Sequence, residues 1–279
     1  MNYYIKNAKV VNEGKKYKAN VLVVDGYIQR ISKEADFDSG SATVIDATGK
    51  YLIPGIIDEH VHFREPGLTH KADIYTESRA AVAGGVTSFM DMPNTVPQTT
   101  TQELLQQKFD LAAEKSLANY SFYLGATNDN LEEVLKTDVQ NVCGIKMFMG
   151  SSTGNMLVDD DAALERIFSE SPCLIAAHCE DEAIIRKNME LYKMMIEESG
   201  AKSEATIHPL IRTAEACFKS SLRAVEMAGK TGARLHIMHI STIDELALFT
   251  NEIPLAEKKI TAETCPHYLC LHSDYYLDK

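Results

Sequence analysis

Residues 56–67, with the sequence IIDEHVHFREPG, decide how the rest of the chain is interpreted. The apolar run that leads into this stretch predicts a buried strand, and the proline and glycine at its end predict a loop. Residues two apart on a strand point to the same side, so His60 and His62 face one way, with Arg64 just beyond them. Two imidazoles at this spacing can hold one metal ion, and an arginine beside them can bind a carboxylate. A bare His-x-His pair is also common on solvent-facing edge strands, but the buried setting favours the metal.

The composition limits the class of protein before any motif is used. The 279 residues suffice for one large domain or for a barrel with a small appendage. The net charge of −12 argues against nucleic acid and anionic membranes as partners, because both need clustered lysine and arginine. No apolar run approaches the roughly 20 residues that span a bilayer, and the polar start at residues 1–6 predicts no signal peptide. The six cysteines form no Cys-x-x-Cys pair and are typical of a reduced, cytoplasmic protein.

The first part of the chain, residues 1–53, is predicted to form a small β domain. Its segments are rich in valine, isoleucine and tyrosine and are separated by turn sequences, of which Asp25-Gly26 is typical of a tight hairpin. The predicted strands are Tyr3–Val11, Ala19–Val24, Tyr27–Ile31 and Thr43–Asp46.

From residue 54 to residue 279 the pattern changes to alternating strands and helices. This alternation favours a parallel sheet, and seven such strands after a small β domain favour a TIM (β/α)8 barrel, which has eight strands when complete. The predicted strands are 56–63, 86–92, 120–126, 143–149, 173–179, 234–240 and 259–264. The predicted helices are Thr76–Ala83, Thr101–Lys115, Leu131–Lys136, Asp159–Ser169, Glu182–Glu198, Thr213–Lys230 and Ile243–Thr250.

In such barrels the chemistry lies at the C-terminal ends of the strands, and polar residues stand at several of those ends. Asn94 follows the second strand and can both donate and accept hydrogen bonds, although an asparagine after a proline is also an ordinary turn residue. Lys146 lies between apolar neighbours, where burial favours the neutral amine unless its end reaches solvent or a carboxylate. His178 emerges from the apolar end of the fifth strand, where a lone histidine is often just hydrogen-bonded.

The run from Asp58 to Gly67, Asp-x-His-x-His-Phe-Arg-Glu-Pro-Gly, resembles the signature of the dihydroorotases, which belong to the cyclic amidohydrolases. Those enzymes are metal-dependent TIM barrels, and residues 1–53 would match the N-terminal half of their small β-sandwich. The resemblance implies two divalent metal ions, for which zinc suits the expected imidazole and oxygen ligands. The implied ligands are His60 and His62 for the first ion, His178 and His239 for the second, and carboxylated Lys146 as the bridge.

The implied reaction is the reversible hydrolysis of the cyclic amide of dihydroorotate to N-carbamoyl-aspartate in de novo pyrimidine biosynthesis. The sequence Met-Pro-Asn-Thr at 92–95 is similar to a dihydroorotase loop, which implies that Asn94 and Arg64 hold the substrate carboxylate. The expected partner is this small molecule, with a homodimer or an association with another enzyme of the pathway as further expectations. Allantoinase and hydantoinase are the alternatives within the superfamily, and a non-catalytic scaffold is the alternative outside the enzymes.

Two histidines and one missing group complete the prediction. His236 is expected to be a structural neighbour of the site, because its odd spacing from His239 turns it to the other side of the strand. His267 matches the first histidine of a Pro-His-His sequence of the family and would orient the site, although a tyrosine follows it here. The family's general acid/base is an aspartate at the end of the eighth strand, and we expect that residue beyond Lys279.

Overall fold

The computed structural model describes residues 1–33, 39–150, 154–199 and 205–277. The chain divides into two compact units, Met1–Ile56 and Ile57–Lys279. Among the described residues, no helix combines the length and the apolar character that a membrane crossing requires.

The N-terminal unit is a mixed sheet of five strands. The strands are β1 (Tyr3–Asn12), β2 (Lys15–Val24), β3 (Tyr27–Ser32), β4 (Thr43–Asp46) and β5 (Tyr51–Leu52). β1 and β3 each run antiparallel to β2, whereas β4 and β5 pair with β1 in parallel. Between β2 and β3, Asp25 and Gly26 have φ angles of 49° and 84°, the left-handed values that a tight hairpin turn of this type requires. The hairpin predicted from Asp-Gly is therefore confirmed.

The second unit is built on a sheet of seven strands. The strands are β6 (Ile56–Val61), β7 (Val86–Asp91), β8 (Asn119–Gly125), β9 (Gly144–Phe148), β10 (Ile175–His178), β11 (Leu235–Ile237) and β12 (Ile260–Ala262). The helices are α1 (Ile74–Ala83), α2 (Gln102–Lys115), α3 (Leu131–Leu135), α4 (Asp161–Glu170), α5 (Glu182–Ser199), α6 (His208–Ile211), α7 (Ala214–Thr231) and α8 (Pro266–Cys270). Short 3-10 helices cover Ala205–Ile207, Asp244–Leu248, Leu255–Glu257 and Ser273–Leu277. The strands lie side by side in chain order, from β6 to β12, which confirms the predicted barrel-type architecture.

The seven-stranded sheet is curled so that its two edges approach each other. β6 and β12 stand at opposite ends of the strand order. A flat sheet would separate these edges by roughly 29 Å, which is six strand spacings of about 4.8 Å. Instead, Nδ1 of His60 on β6 lies 2.5 Å from Oε1 of Glu263, the residue that follows β12. The strand ends therefore surround a common space.

Alternation along the strands decides which side chains face that space. On β9, Ile145 and Met147 belong to the apolar core that also contains residues of the helices, whereas Lys146 between them does not. Lys146 instead contacts Met238, which packs in a small second cluster inside the sheet with Tyr123. A strand buried on both faces thus sends its one polar side chain inward.

The structure corrects one predicted helix. The segment Ile243–Thr250 forms only a 3-10 helix, Asp244–Leu248. Glu245 is buried there and accepts hydrogen bonds from Ser221 Oγ on α7, at 2.7 Å, and from Thr242 Oγ1, at 2.8 Å. These two bonds fix the glutamate against α7, while Ile243 and Leu246 remain exposed, so the segment lacks the apolar face that would stabilise a longer α-helix.

Candidate metal centre

Four histidine rings converge at the C-terminal ends of the strands. His60 lies on β6, His62 follows that strand, His178 ends β10, and His239 lies two residues past β11. The ring centroids of His60 and His62 are 5.3 Å apart, as are those of His60 and His239, and those of His178 and His239 are 4.8 Å apart. Residues separated by almost 180 positions in the chain thus form one cluster.

The first pair of rings presents two nitrogen lone pairs to one point. Nε2 of His60 and Nε2 of His62 are 3.3 Å apart. Zinc–nitrogen bonds of about 2.0–2.1 Å at a tetrahedral angle would separate the two nitrogens by about 3.3 Å. The distance between these nitrogens therefore fits a metal ion.

Hydrogen bonds at the far side of each ring fix which nitrogen is free. His60 donates from Nδ1 to Oε1 of Glu263, and His62 donates from Nδ1 to Oδ1 of Asn94 at 2.8 Å. In each ring the contact at Nδ1 leaves Nε2 as the nitrogen that can bind a metal ion. Two such nitrogens facing each other repel unless a cation lies between them, and carbonyl or carboxylate partners of this kind commonly orient metal-binding histidines.

In the second pair, one of the two rings is oriented by a carboxylate. Nδ1 of His178 lies 2.9 Å from Nε2 of His239, and Nε2 of His178 donates to Oε2 of Glu180 at 2.8 Å. Glu180 is buried and forms an ion pair with Arg212 at 3.1 Å. Because the glutamate occupies Nε2, the nitrogen of His178 that can bind a metal is Nδ1.

Burial keeps these imidazoles neutral, which is the state a metal requires. Burial, followed by the neighbouring His60, lowers the pKa of His62 to about 3. Burial, followed by the neighbouring His178, lowers the pKa of His239 to about 2. Burial also lowers the pKa of His178, although Glu180 opposes the shift. All three rings therefore keep a lone pair available at neutral pH.

Lys146 lies beside this cluster without a carboxylate partner among the described residues. Its side chain is 1% exposed, and its amine lies 3.1 Å from Sδ of Met238 and 4.6 Å from the ring centre of Phe148. Burial lowers the pKa of Lys146 to about 7. The positive form of this lysine also lowers the pKa values of His178 and His239.

Arg64 follows the first pair on a loop with unusual backbone geometry. Arg64 has a φ of 69° and Gly67 a φ of 80°. The guanidinium group forms no ion pair with any carboxylate in the part of the chain that the structure describes, yet its charge lowers the pKa of His62. Within the described residues, this cation beside the histidines is therefore available to bind an anion.

We expect Gly67→Ala to destabilise this loop by more than the cost of its left-handed φ alone, about 1–2 kcal/mol. A Cβ atom at residue 67 would lie 1.9 Å from the carbonyl oxygen of Val96, so the two loops would have to separate. Gly85→Ala is the matched control, because Gly85 has a φ of 92° and open space around the same position. Denaturant unfolding of the two variants measures the difference, and equal losses would contradict the expected clash.

The other predicted residues lie at different distances from the four rings. His236 is buried. Its Nδ1 lies 2.8 Å from Oγ1 of Thr261, and its Nε2 lies 3.4 Å from Oε2 of Glu263. His267 is exposed on α8 and packs edge-on against the ring of Tyr268, with centroids 4.5 Å apart. The structure therefore brings His236, but not His267, against a residue that contacts the cluster.

Sequence reasoning missed Glu263 as a contributor to the site. Its carboxylate contacts the ring of His60 and accepts the backbone N–H of His239 at 3.2 Å. Glu59, His236 and Glu263 also place three possible ligand atoms within 4.8 Å of one another. Burial raises the pKa of Glu263, but its contacts with His236 and His60 outweigh that effect, and the pKa lies well below its usual range. Its position directly after a strand is the signal that could have identified it.

Both carboxylates that contact these rings already accept a hydrogen bond from a ring nitrogen. Glu263 and Glu180 both accept hydrogen bonds from the ring nitrogens that face away from the neighbouring histidine. The aspartate expected beyond Lys279 lies outside the described residues and stays a prediction.

Comparison with known proteins finds relatives that are named as enzymes acting on cyclic amides. The family model described as dihydro-orotase-like matches residues 49–245. A dihydroorotase of Methanosarcina mazei is 32% identical over 278 residues, which cover 96% of this chain and 59% of that protein. An allantoinase of Bacillus velezensis is 32% identical over 280 residues, which cover 99% of this chain and 60% of that protein. The chain thus spans about 60% of the length of these relatives.

The solved structures lead to the same fold. An L-hydantoinase (dihydropyrimidinase) from Arthrobacter aurescens superposes with a TM-score of 0.87 at 28% identity, covering 98% of this chain and 60% of that one. A dihydropyrimidinase from Brevibacillus agri gives a TM-score of 0.82 at 27% identity. The match of the family model over most of the chain, together with the clustered histidines, establishes that the chain belongs to the dihydro-orotase-like family of amidohydrolases.

Proposed function

We propose that this protein supplies the metal centre and the substrate-binding loops of a dihydroorotase, which interconverts dihydroorotate and N-carbamoyl-aspartate in pyrimidine synthesis. The observation that carries the proposal is the approach of Nε2 of His60 and Nε2 of His62, which face each other at 3.3 Å. The relatives named dihydroorotase, allantoinase and hydantoinase support hydrolysis of a cyclic amide.

In this proposal the chain's own residues hold two divalent ions. His60 and His62 would hold the first through Nε2, and His178 and His239 would hold the second through Nδ1 and Nε2. Lys146 would supply the bridging anion, once its neutral amine had added carbon dioxide and lost a proton to become a carbamate. Zinc suits this set of imidazole and oxygen ligands. Ions bound there would polarise the amide carbonyl and lower the pKa of a water molecule toward neutrality.

The substrate carboxylate distinguishes dihydroorotate from the uncharged hydantoins. Arg64 is a cation without a carboxylate partner among the described residues, and an arginine fork matches a carboxylate in geometry. Asn94 contributes its amide N–H groups, because its oxygen already accepts from His62. Hydrolysis breaks the ring amide C–N bond, and the leaving nitrogen takes a proton from a general acid that we assign to an aspartate beyond Lys279. A cytoplasmic location is consistent with six cysteines that are all unpaired.

The experiment measures zinc content and turnover together. The chain, purified with zinc and bicarbonate, is offered dihydroorotate, allantoin and hydantoin at equal concentrations. We expect two zinc ions per chain but no turnover by these 279 residues alone, because the general acid is assigned to a residue beyond Lys279. Joining the zinc-loaded chain to the C-terminal part of the Methanosarcina mazei relative should give activity that is confined to dihydroorotate, and turnover by the 279 residues alone would contradict the position assigned to the general acid. Preference for allantoin would overturn the assigned substrate, and absence of zinc would favour the non-catalytic scaffold.

A variant tests the role of Arg64 in the active protein, which is either the chain itself or its fusion with the C-terminal part of the relative. Arg64→Met is expected to lower kcat/KM for dihydroorotate by about 10- to 100-fold, because hydrogen bonds to charged groups contribute about 1.5–3 kcal/mol. Hydantoin carries no carboxylate, so any turnover of it should change little. An equal loss for both substrates would instead assign Arg64 to the structure of the loop.

A further inference from the structure

A fully buried ion pair lies behind the first pair of histidines. Lys108 on α2 and Asp91 at the end of β7 are both 0% exposed, and Nζ of Lys108 lies 2.6 Å from Oδ2 of Asp91. Burial lowers the pKa of Lys108, and the contact with Asp91 opposes that shift. Buried pairs of this kind commonly contribute less stability than apolar residues of the same volume would. The pair therefore calls for an explanation other than stability.

The carboxylate holds the backbone next to a predicted ligand. Oδ1 of Asp91 accepts the N–H of Phe63 at 2.8 Å. β6 ends at Val61, so Phe63 lies beyond its regular ladder, and it directly follows His62. The side chain of Asp91 thus fixes the backbone directly after His62, where the strand pairing of β6 has ended.

The ammonium group holds the loop that contacts the same ring. Nζ of Lys108 donates to the carbonyl oxygen of Met92 at 2.6 Å. Two residues later, Asn94 accepts the Nδ1 proton of His62. One buried pair therefore reaches His62 by two routes, through its backbone and through the partner of its ring.

We propose that Asp91 and Lys108 are a positioning pair that fixes the orientation and the tautomer of the His62 ring. This inference rests on the proposed metal centre, since orientation of Nε2 matters because it binds the first ion. His178 and His239 are held by other elements and do not depend on the pair. The pair consequently acts on one ion site and not on the other.

The decisive variant is Asp91→Leu/Lys108→Met, which removes both routes without leaving a buried unpaired charge. We expect its affinity for the first zinc ion to fall by about 10- to 100-fold, the usual effect of losing a group that orients a ligand. The second site should keep its affinity. Competition with a chelator measures both, and cobalt substitution reports the geometry of each site. Loss at both sites would indicate general unfolding and overturn the inference, as would no loss at either.

A second readout needs no metal and separates this inference from the proposed function. Nitrogen-15 NMR of the metal-free chain reports which ring nitrogen of His62 carries the proton. We expect a single Nδ1–H form in the wild type and a mixture in the double variant. An unchanged tautomer would overturn the inference even if two ions bind, whereas a changed tautomer with no ion bound would leave it standing while the metal proposal fails.

The matched control is an exposed ion pair that also joins two elements. Lys230 on α7 contacts Glu165 on α4 at 2.7 Å, with both side chains more than half exposed. The variant Glu165→Leu/Lys230→Met is expected to leave both ion sites and the His62 tautomer unchanged. An effect equal to that of the buried pair would show that any loss of an ion pair produces it.

Discussion

Replacing Lys146 with alanine is expected to remove the metal pair and, with it, all hydrolysis of cyclic amides. Lys146 is completely surrounded by protein and has a sulfur atom and an aromatic ring as its close neighbours. A neutral amine in such a place can become a carbamate, and the carbamate would bring a negative charge between the two histidine pairs. Without that charge, two dications in the cluster would repel each other more strongly. Metal analysis of the purified variant should show fewer than two ions per chain.

Short carboxylic acids should restore both metal and activity to Lys146→Ala, because the substitution leaves a cavity in which acetate or propionate can take the place of the carbamate. Lys146→Met is the matched control, since its side chain fills that cavity and the same acids should have no effect. Full metal content in Lys146→Ala without added acid would contradict a bridging role. Rescue of Lys146→Met would show that the acids act elsewhere.

Replacing Glu263 with leucine is expected to weaken binding of the first ion by about 10- to 100-fold. Glu263 accepts hydrogen bonds from Nδ1 of His60 and from the backbone N–H of His239. Without it, the His60 ring and the backbone of His239 each lose a hydrogen-bond partner. Glu263→Gln should have a smaller effect, because its amide oxygen can still accept from His60. Competition with a chelator should give zinc affinities that fall in the order wild type, Glu263→Gln, Glu263→Leu.

Glu59→Gln is the control for Glu263, because Glu59 also lies near His236, at 3.8 Å, but is half exposed. It should leave zinc affinity unchanged, and a loss equal to that of Glu263→Leu would assign the effect to the acidic cluster as a whole. The pH dependence gives a second check. The folded-state pKa of Glu263 is lowered, so its contribution to stability is present above the ordinary value of 4.5 and is lost as the pH falls toward the lowered value. As the pH falls over that range, Glu263→Gln should lose less stability than the wild type, which acid unfolding measures.

Local sequence was sufficient to locate the strands and the residues at their ends, but the predicted burial of the first barrel strand was wrong, because Ile56 is 50% and Ile57 61% exposed. His60 and His62 share a face because a strand has a period of two, and this holds whatever the rest of the chain does. Lys146 was identifiable for the same reason, since a single polar residue in a buried strand must point away from the helices. The predicted helix Ile243–Thr250 failed because its glutamate is held by α7, a contact that no local pattern reveals.

The sequence by itself determined the barrel-type fold, the histidine pair on the first strand and the buried lysine, because each depends on periodicity and burial within a few residues. The tertiary structure decided which ring nitrogen is free, because that depends on oxygen atoms from Glu263, Asn94 and Glu180, of which the first is about 200 residues from its histidine. It also brought Lys108 and Asp91 together, since packing of α2 against the sheet places the lysine beside the carboxylate at the end of β7. Hydrogen-bond direction and burial are properties of the folded neighbourhood, and a linear pattern does not contain them.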